Sequence, residues 1–277
     1  MRIKIPNLKE ILKPRWAHKP GFGMRGGCKL IKREGSEQAT TPEDPKLLDK
    51  LGIKKKEKVL AIAAYYASWA SQIAKAGAKV DYNDISKEMV NYAKRRYGRL
   101  FGEYICSNYE STPENPEEYD WTFTFEACGG GSGLPIAYLR ALTNNKGGIL
   151  VLFLDREKKE NMGSKPKRYP LIVNTLSEIY GCKSGIKEEI FRGHRIGGER
   201  SILRHRVYTI RTNNSARKKA DLDLRVLDYA GGKRIINLEN EAENLSINKK
   251  QLEDSFIRLS KLSKIISREF VKTIKVR

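Results

Sequence analysis

Asp84 is the residue whose type and position most clearly invite chemistry. It closes the run Val80-Asp-Tyr-Asn-Asp84 and stands 21 positions after Ala63, at the loop that follows a first apolar run, Val59–Ala64. A carboxylate at the end of the second strand of a strand–loop–helix–strand unit is placed to accept hydrogen bonds from paired sugar hydroxyls. Such a unit opens nucleotide-binding α/β sheets. The loop departs from that pattern, because Ala63-Ala64-Tyr65-Tyr66-Ala67 contains no glycine. Close backbone approach to a ligand and positive φ, which glycine permits, are then not provided. A second glycine-rich stretch, Gly129–Gly133, follows the fourth expected strand. The other chemically suggestive set is basic: Arg192, His194, Arg195, Arg200, Arg204, His205, Arg206 and Arg211 fall within twenty positions. Arg204 and Arg206 share one strand face, at a twofold spacing suited to following a phosphate backbone.

Strands and helices must alternate to position these groups, and they do. Val59–Ala64, Lys79–Asn83, Tyr104–Ser107, Trp121–Glu126 and Gly148–Leu154 read as strands, the last with the continuous apolar character of a buried parallel position. Between them lie helices at Ser68–Ala76, after Ser86 as cap, and at Pro135–Leu142, with another at Pro170–Tyr180. Gly185–Phe191 and Ser201–Arg211 then read as an antiparallel pair. Repeated alternation predicts a mostly parallel sheet covered on both faces, with an antiparallel end.

Charge sets the flanks apart from this core. The 277 residues carry a net charge of +21, with 39% hydrophobic and 31% charged residues. Residues 1–58 hold +9, 59–155 hold −2, 156–219 hold +11 and 220–277 hold +3. A slightly acidic middle between basic flanks points to a polyanionic partner, RNA first. Residues 1–44 read as a basic arm whose Trp16, His18 and Phe22 could stack on bases or pack on the domain. Thr41 and Pro42 carry the signature of a helix start, with Leu47, Leu48 and Leu51 facing the core and Gly52 ending the helix. Residues 45–212 form the α/β domain and 213–277 an extension. In the extension Leu222–Tyr229 and Lys233–Leu238 read as a β-hairpin, and Lys249–Thr273 as an amphipathic helix that packs on the chain or docks a partner protein. No apolar run approaches a membrane span, and no secretory leader is evident, so a cytoplasmic location is expected. Cys28, Cys106, Cys128 and Cys182 form no C-x-x-C pair, so buried thiols are expected, with neither a disulfide framework nor a metal site.

The middle of the chain, about residues 45–212, resembles the class I S-adenosylmethionine-dependent methyltransferases. That family's Rossmann-like sheet has seven strands, the last one antiparallel. The resemblance is carried by Val59-Leu-Ala-Ile-Ala-Ala64, by Val80-Asp-Tyr-Asn-Asp84-Ile-Ser86, by Tyr104-Ile-Cys-Ser-Asn108-Tyr109 and by Tyr119-Asp-Trp-Thr-Phe-Thr-Phe-Glu126-Ala127. It implies S-adenosylmethionine as cofactor, held by Ala63, Tyr65, Tyr66 and Ala67 of the first loop, by Asp84 and Ile85, and by Asn108 and Tyr109. Ala61 stands where the family has an acid. Methyl transfer requires mainly alignment, so a catalytic side chain is optional. Where the acceptor carries a proton, Glu126 and Asp155, both at strand ends, are the candidate bases. Arg192, Arg195, Arg200, Arg204, Arg206 and Arg211 are the candidate RNA contacts, and ribosomal or transfer RNA the expected substrate. The alternative is a catalytically inactive protein of the same fold that binds RNA or the ribosome. A nicotinamide-dependent oxidoreductase is disfavoured, because its phosphate-binding glycine fingerprint is missing.

Overall fold

The structure, a computed structural model, describes residues 2–4, 40–62, 67–84, 86–107, 119–125, 135–154, 168–195, 200–230, 233 and 235–274. In chain order the elements are β1 (Arg2–Lys4), β2 (Thr40–Pro42), α1 (Leu47–Leu51), β3 (Lys58–Ile62), α2 (Ser68–Lys75), β4 (Lys79–Asp84), α3 (Lys87–Tyr97), β5 (Tyr104–Cys106) and β6 (Tyr119–Phe125). They continue as α4 (Pro135–Asn144), β7 (Asn145–Leu154), α5 (Arg168–Tyr180), β8 (Lys183–Arg195), β9 (Arg200–Arg211), α6 (Asn214–Ala230), β10 (Ile235–Asn237), α7 (Leu238–Asn244) and α8 (Lys249–Ile274).

Eight strands form one sheet in the order β2-β8-β9-β7-β6-β3-β4-β5. Strands β3 to β7 are mutually parallel, whereas β9 runs antiparallel to both its neighbours, β7 and β8. The apolar runs of β3 and β7 explain their central positions, since side chains on both faces are buried. Leu60 and Val151 join the cluster beneath α4, α6 and α8, and Val59 and Leu150 the cluster that includes Leu51, Trp69 and Ile73. Local signals act as expected at several ends. The Ser86 hydroxyl accepts from Met89 N (3.3 Å) to cap α3, and Gly52 closes α1 in the left-handed conformation at φ 74°.

Three expectations change. Thr41 does not cap a helix; it lies in β2, which adds an edge to β8 through Thr41↔His194 and Pro42↔Gly193. Two acceptor–proline pairs stand in succession here, Thr41-Pro42 and Asp44-Pro45, and the second makes the turn into α1: Asp44 Oδ1 accepts from Lys46 N at 2.9 Å. The expected hairpin at Leu222–Tyr229 and Lys233–Leu238 is also corrected. Its first half lies in α6, where Ala216, Ala220, Leu224, Leu227 and Ala230 are buried at helical spacing behind the Asn213 cap, whose Oδ1 accepts from Ala216 N at 2.9 Å. Its second half is β10, which pairs with β1 at the other end of the chain. The alternation Leu222-x-Leu224-x-Val226 mimics a strand, but apolar residues every three or four positions give α6 one face to bury on the core. Finally, Cys182 is buried as expected but Cys106 is exposed.

Within α8, Leu252, Phe256, Leu259 and Leu262 are buried in the same cluster as β3, β7 and β9. Arg258 joins α8 to α6 by hydrogen bonds to Asp223 of 2.6 Å (Nη2 to Oδ1) and 2.9 Å (Nε to Oδ2), and the Tyr180 hydroxyl of α5 donates to the same carboxylate at 2.8 Å. Burial pushes the Asp223 carboxyl up against the opposing pull of Arg258.

Candidate functional site

Asp84 ends β4 at the carboxyl edge of the sheet, level with Cys106 of β5. It is buried, and its Oδ1 accepts from Ser86 N at 2.9 Å. That bond orients the carboxylate, so it is neither a solvated surface acid nor the helix cap, a role that Ser86 fills. The preceding residue, Asn83, is also buried and braces the edge: its Nδ2 donates to Ser107 Oγ at 2.9 Å, just beyond β5. Ser107 N in turn donates to the Asp84 carbonyl at 3.2 Å. Sequence reasoning missed Asn83 and Ser107; the one available signal was a strand-interior asparagine, a residue depleted from strands unless its amide has partners.

Ala67 precedes α2 in a left-handed conformation, φ 57° and ψ 15°, fully buried and with no side-chain cap bond at the helix start. This revises the expectation that an alanine here would not take the backbone state of a glycine. The geometry persists without the residue that usually supplies it, at a conformational cost of about 1–2 kcal/mol. Helix α2 is held by Trp69, whose ring meets Phe191 of β8 edge-on at 5.2 Å and His205 of β9 at 4.9 Å. The helix that follows the glycine-less loop is therefore packed against the arginine-bearing hairpin.

That hairpin extends past its neighbour. β7 last pairs at Leu154↔His205, while β8 and β9 continue to His194↔Arg200. Arg192 and Arg204 are exposed there, and Arg206 is half-buried with its Nε donating to Glu188 Oε1 at 3.2 Å. The strand register puts the backbones of Arg195 and Arg200 at the far end, where Thr40↔Arg195 also joins β2. Two residues of the basic set do not share this surface. His205 is buried under Trp69. Arg211 lies at the opposite edge, level with Gly148 and Lys183, its guanidinium 5.0 Å from the centre of the Trp121 ring.

Glu126 and Asp155 follow directly on the last residues of β6 and β7, but they lie outside the described residues, as do Ala63, Tyr65, Tyr66, Ile85, Asn108 and Tyr109. Among the described residues no group of acids, histidines and cysteines could hold a metal ion, and no helix is long and apolar enough to cross a membrane.

The order of strands decides the fold. β3 has β4 on one side and β6 on the other, which sets a switch point at the carboxyl ends of β3 and β6, and the last strand of the α/β unit, β9, is inserted antiparallel between β7 and β8. The chain has the class I methyltransferase fold. No family model matches the sequence, and no curated protein matches it. Solved structures with a methyltransferase fold include a SAM-dependent methyltransferase from Aquifex aeolicus, with 19% identity, 66% of this chain and 97% of that chain covered and a TM-score of 0.46. The precorrin-6y C5,15-methyltransferase of Geobacter metallireducens has 9% identity, 60% and 86% coverage and a TM-score of 0.42. Magnesium protoporphyrin IX methyltransferase of Synechocystis, solved with bound SAM, has 14% identity, 69% and 82% coverage and a TM-score of 0.40. Scores of this size do not carry the fold, which is read from strand order and direction alone.

Proposed function

We propose that this protein is an S-adenosylmethionine-dependent methyltransferase that acts on RNA. One observation supports the reading above the others: Asp84 and the overhanging arginine hairpin belong to the same carboxyl edge of one sheet, with β6 midway between them. β4 and β9 are four strand positions apart, roughly 19 Å at about 4.8 Å per strand. A polyanion held on the hairpin can therefore reach the end of β6, two positions from each.

The residues present suit the cofactor. A buried carboxylate oriented by a backbone N–H accepts ribose hydroxyls with charge-assisted strength, and Ala67, at the start of α2, holds the positive φ that a glycine would adopt. When bound, the cofactor supplies an activated methyl group at the sheet edge. The chain's own contribution is alignment: Asn83 and Ser107 hold the ends of β4 and β5 together, and Trp69 fixes α2 against the hairpin. Glu126, which directly follows Phe125 at the end of β6, is the first candidate to take a proton from the acceptor, and Asp155 the second.

Calorimetry with S-adenosylmethionine tests the reading. The full chain is expected to bind with micromolar affinity, and Asp84→Ala to abolish the heat without lowering the melting temperature by more than a few degrees. Absence of heat with the wild-type chain would favour the second reading, a catalytically inactive RNA-binding protein, for which the glycine-less loop is the supporting observation.

A further inference from the structure

The two faces of the overhanging hairpin differ. Five residues of β9, Arg200 to Arg204, lie beyond its last pairing with β7, a reach of about 17 Å at roughly 3.4 Å per residue. One face carries Phe191 and His205, both buried against Trp69. On the other face Ile190 stands across from Arg204, Ile202 across from Arg192, and Glu188 across from Arg206, with Ile186 next along β8. Ile186, Ile190 and Ile202 are 47%, 51% and 64% exposed. Single exposed aliphatic residues are ordinary, but three on one face of one hairpin, interleaved with arginines, make a mixed surface. Phosphate contacts alone would call only for cations, and the isoleucines would gain nothing from them.

We propose that this face seats an unpaired segment of RNA, with Ile190 and Ile202 against base faces and Arg192 and Arg204 on phosphates or stacked on bases. The inference rests on the RNA reading above and narrows it to single strands. Duplex RNA presents phosphates and sugar hydroxyls while its base faces are stacked away, so it would leave the isoleucines in water; an unpaired strand can cover both kinds of group. A second copy of the chain is disfavoured by charge, since Arg192, Arg204 and Arg206 outnumber Glu188 on this face and would meet themselves across a symmetric contact.

The test compares binding of a short unstructured RNA oligonucleotide, and of the same sequence as a duplex, by the full-length wild type, an Ile190→Ser/Ile202→Ser variant and an Arg192→Ala/Arg204→Ala variant. All four positions are exposed, so melting temperatures should stay close to wild type. The isoleucine variant is expected to bind the single strand about tenfold more weakly, with its salt dependence and its duplex binding unchanged. The arginine variant should weaken both and flatten the salt dependence. Wild-type affinity of the isoleucine variant for the single strand overturns this inference and leaves the RNA reading standing. Failure of the wild type to bind either RNA overturns both. A shift from dimer to monomer in the isoleucine variant, or loss of a bound acidic protein with RNA affinity unchanged, assigns the face to a protein contact and overturns the proposal.

Discussion

Ala67 and Asp44 show how much a single side chain or backbone angle decides here. Ala67 carries a left-handed backbone that a glycine would adopt without strain. Ala67→Gly is expected to stabilise the chain by about 0.5–1 kcal/mol, the relieved strand-to-helix strain being partly offset by the greater freedom of glycine when unfolded. Ala67→Val, β-branched and fully buried, should destabilise by about 2 kcal/mol or more. Urea unfolding of the two variants checks the opposite signs. Asp44 anchors β2. Burial works to raise its pKa, but hydrogen bonds from Lys50 Nζ, Lys46 N and Arg192 N outweigh burial and hold it below the usual aspartate value. A depressed carboxyl contributes stability above its unfolded pKa and loses it as pH falls through the folded value. Asp44→Asn should therefore cost about 1.5–3 kcal/mol at neutral pH. The gap to wild type should shrink in acid, below about pH 3; a constant gap at both pH values would contradict this account. The contact with Arg192 could not be read from the chain, because it lies 148 positions from Asp44.

Among the elements, those stabilised by local signals were legible and those stabilised by distant partners were not. Helix α3 announces itself through Ser86 and the apolar face Met89, Val90 and Ala93. Within α6, the stretch Leu222–Tyr229 reads as a strand in the sequence, because Leu222-x-Leu224-x-Val226 satisfies a twofold period as well as a helical one. The partner that breaks the tie is Arg258 on α8, which pairs with the wholly buried Asp223. Arg258→Met should cost about 3–5 kcal/mol, because it strands a buried carboxylate, and adding Asp223→Leu should recover most of that loss. Thermal denaturation of the single and double variants measures it; an additive double variant would show that the two residues do not act as a pair.

At the scale of the whole molecule, charge and topology meet at one edge. Net charge of +21 could bind polyanions anywhere, but the overhang carries Arg192 and Arg204 beyond the end of β7, at the edge where Asp84 ends β4. RNA affinity is expected to fall by two or more orders of magnitude between about 50 and 200 mM salt, as for a protein with several phosphate contacts. A flat profile in filter binding would remove RNA as the partner.

Strand–helix alternation, the apolar runs of β3 and β7, and the acid at the end of β4 were all determined by the sequence, because periodicity and capping act within one or two turns of chain. That determined the α/β class and the edge on which to look. Only tertiary structure decided that Ala67 keeps a glycine-like backbone, that His205 and Arg211 leave the basic surface while Arg192 and Arg204 stay, and that β1 and β2 close onto β10 and β8. Each of these depends on groups brought together from tens to hundreds of positions apart, where a local pattern carries no information about the partner.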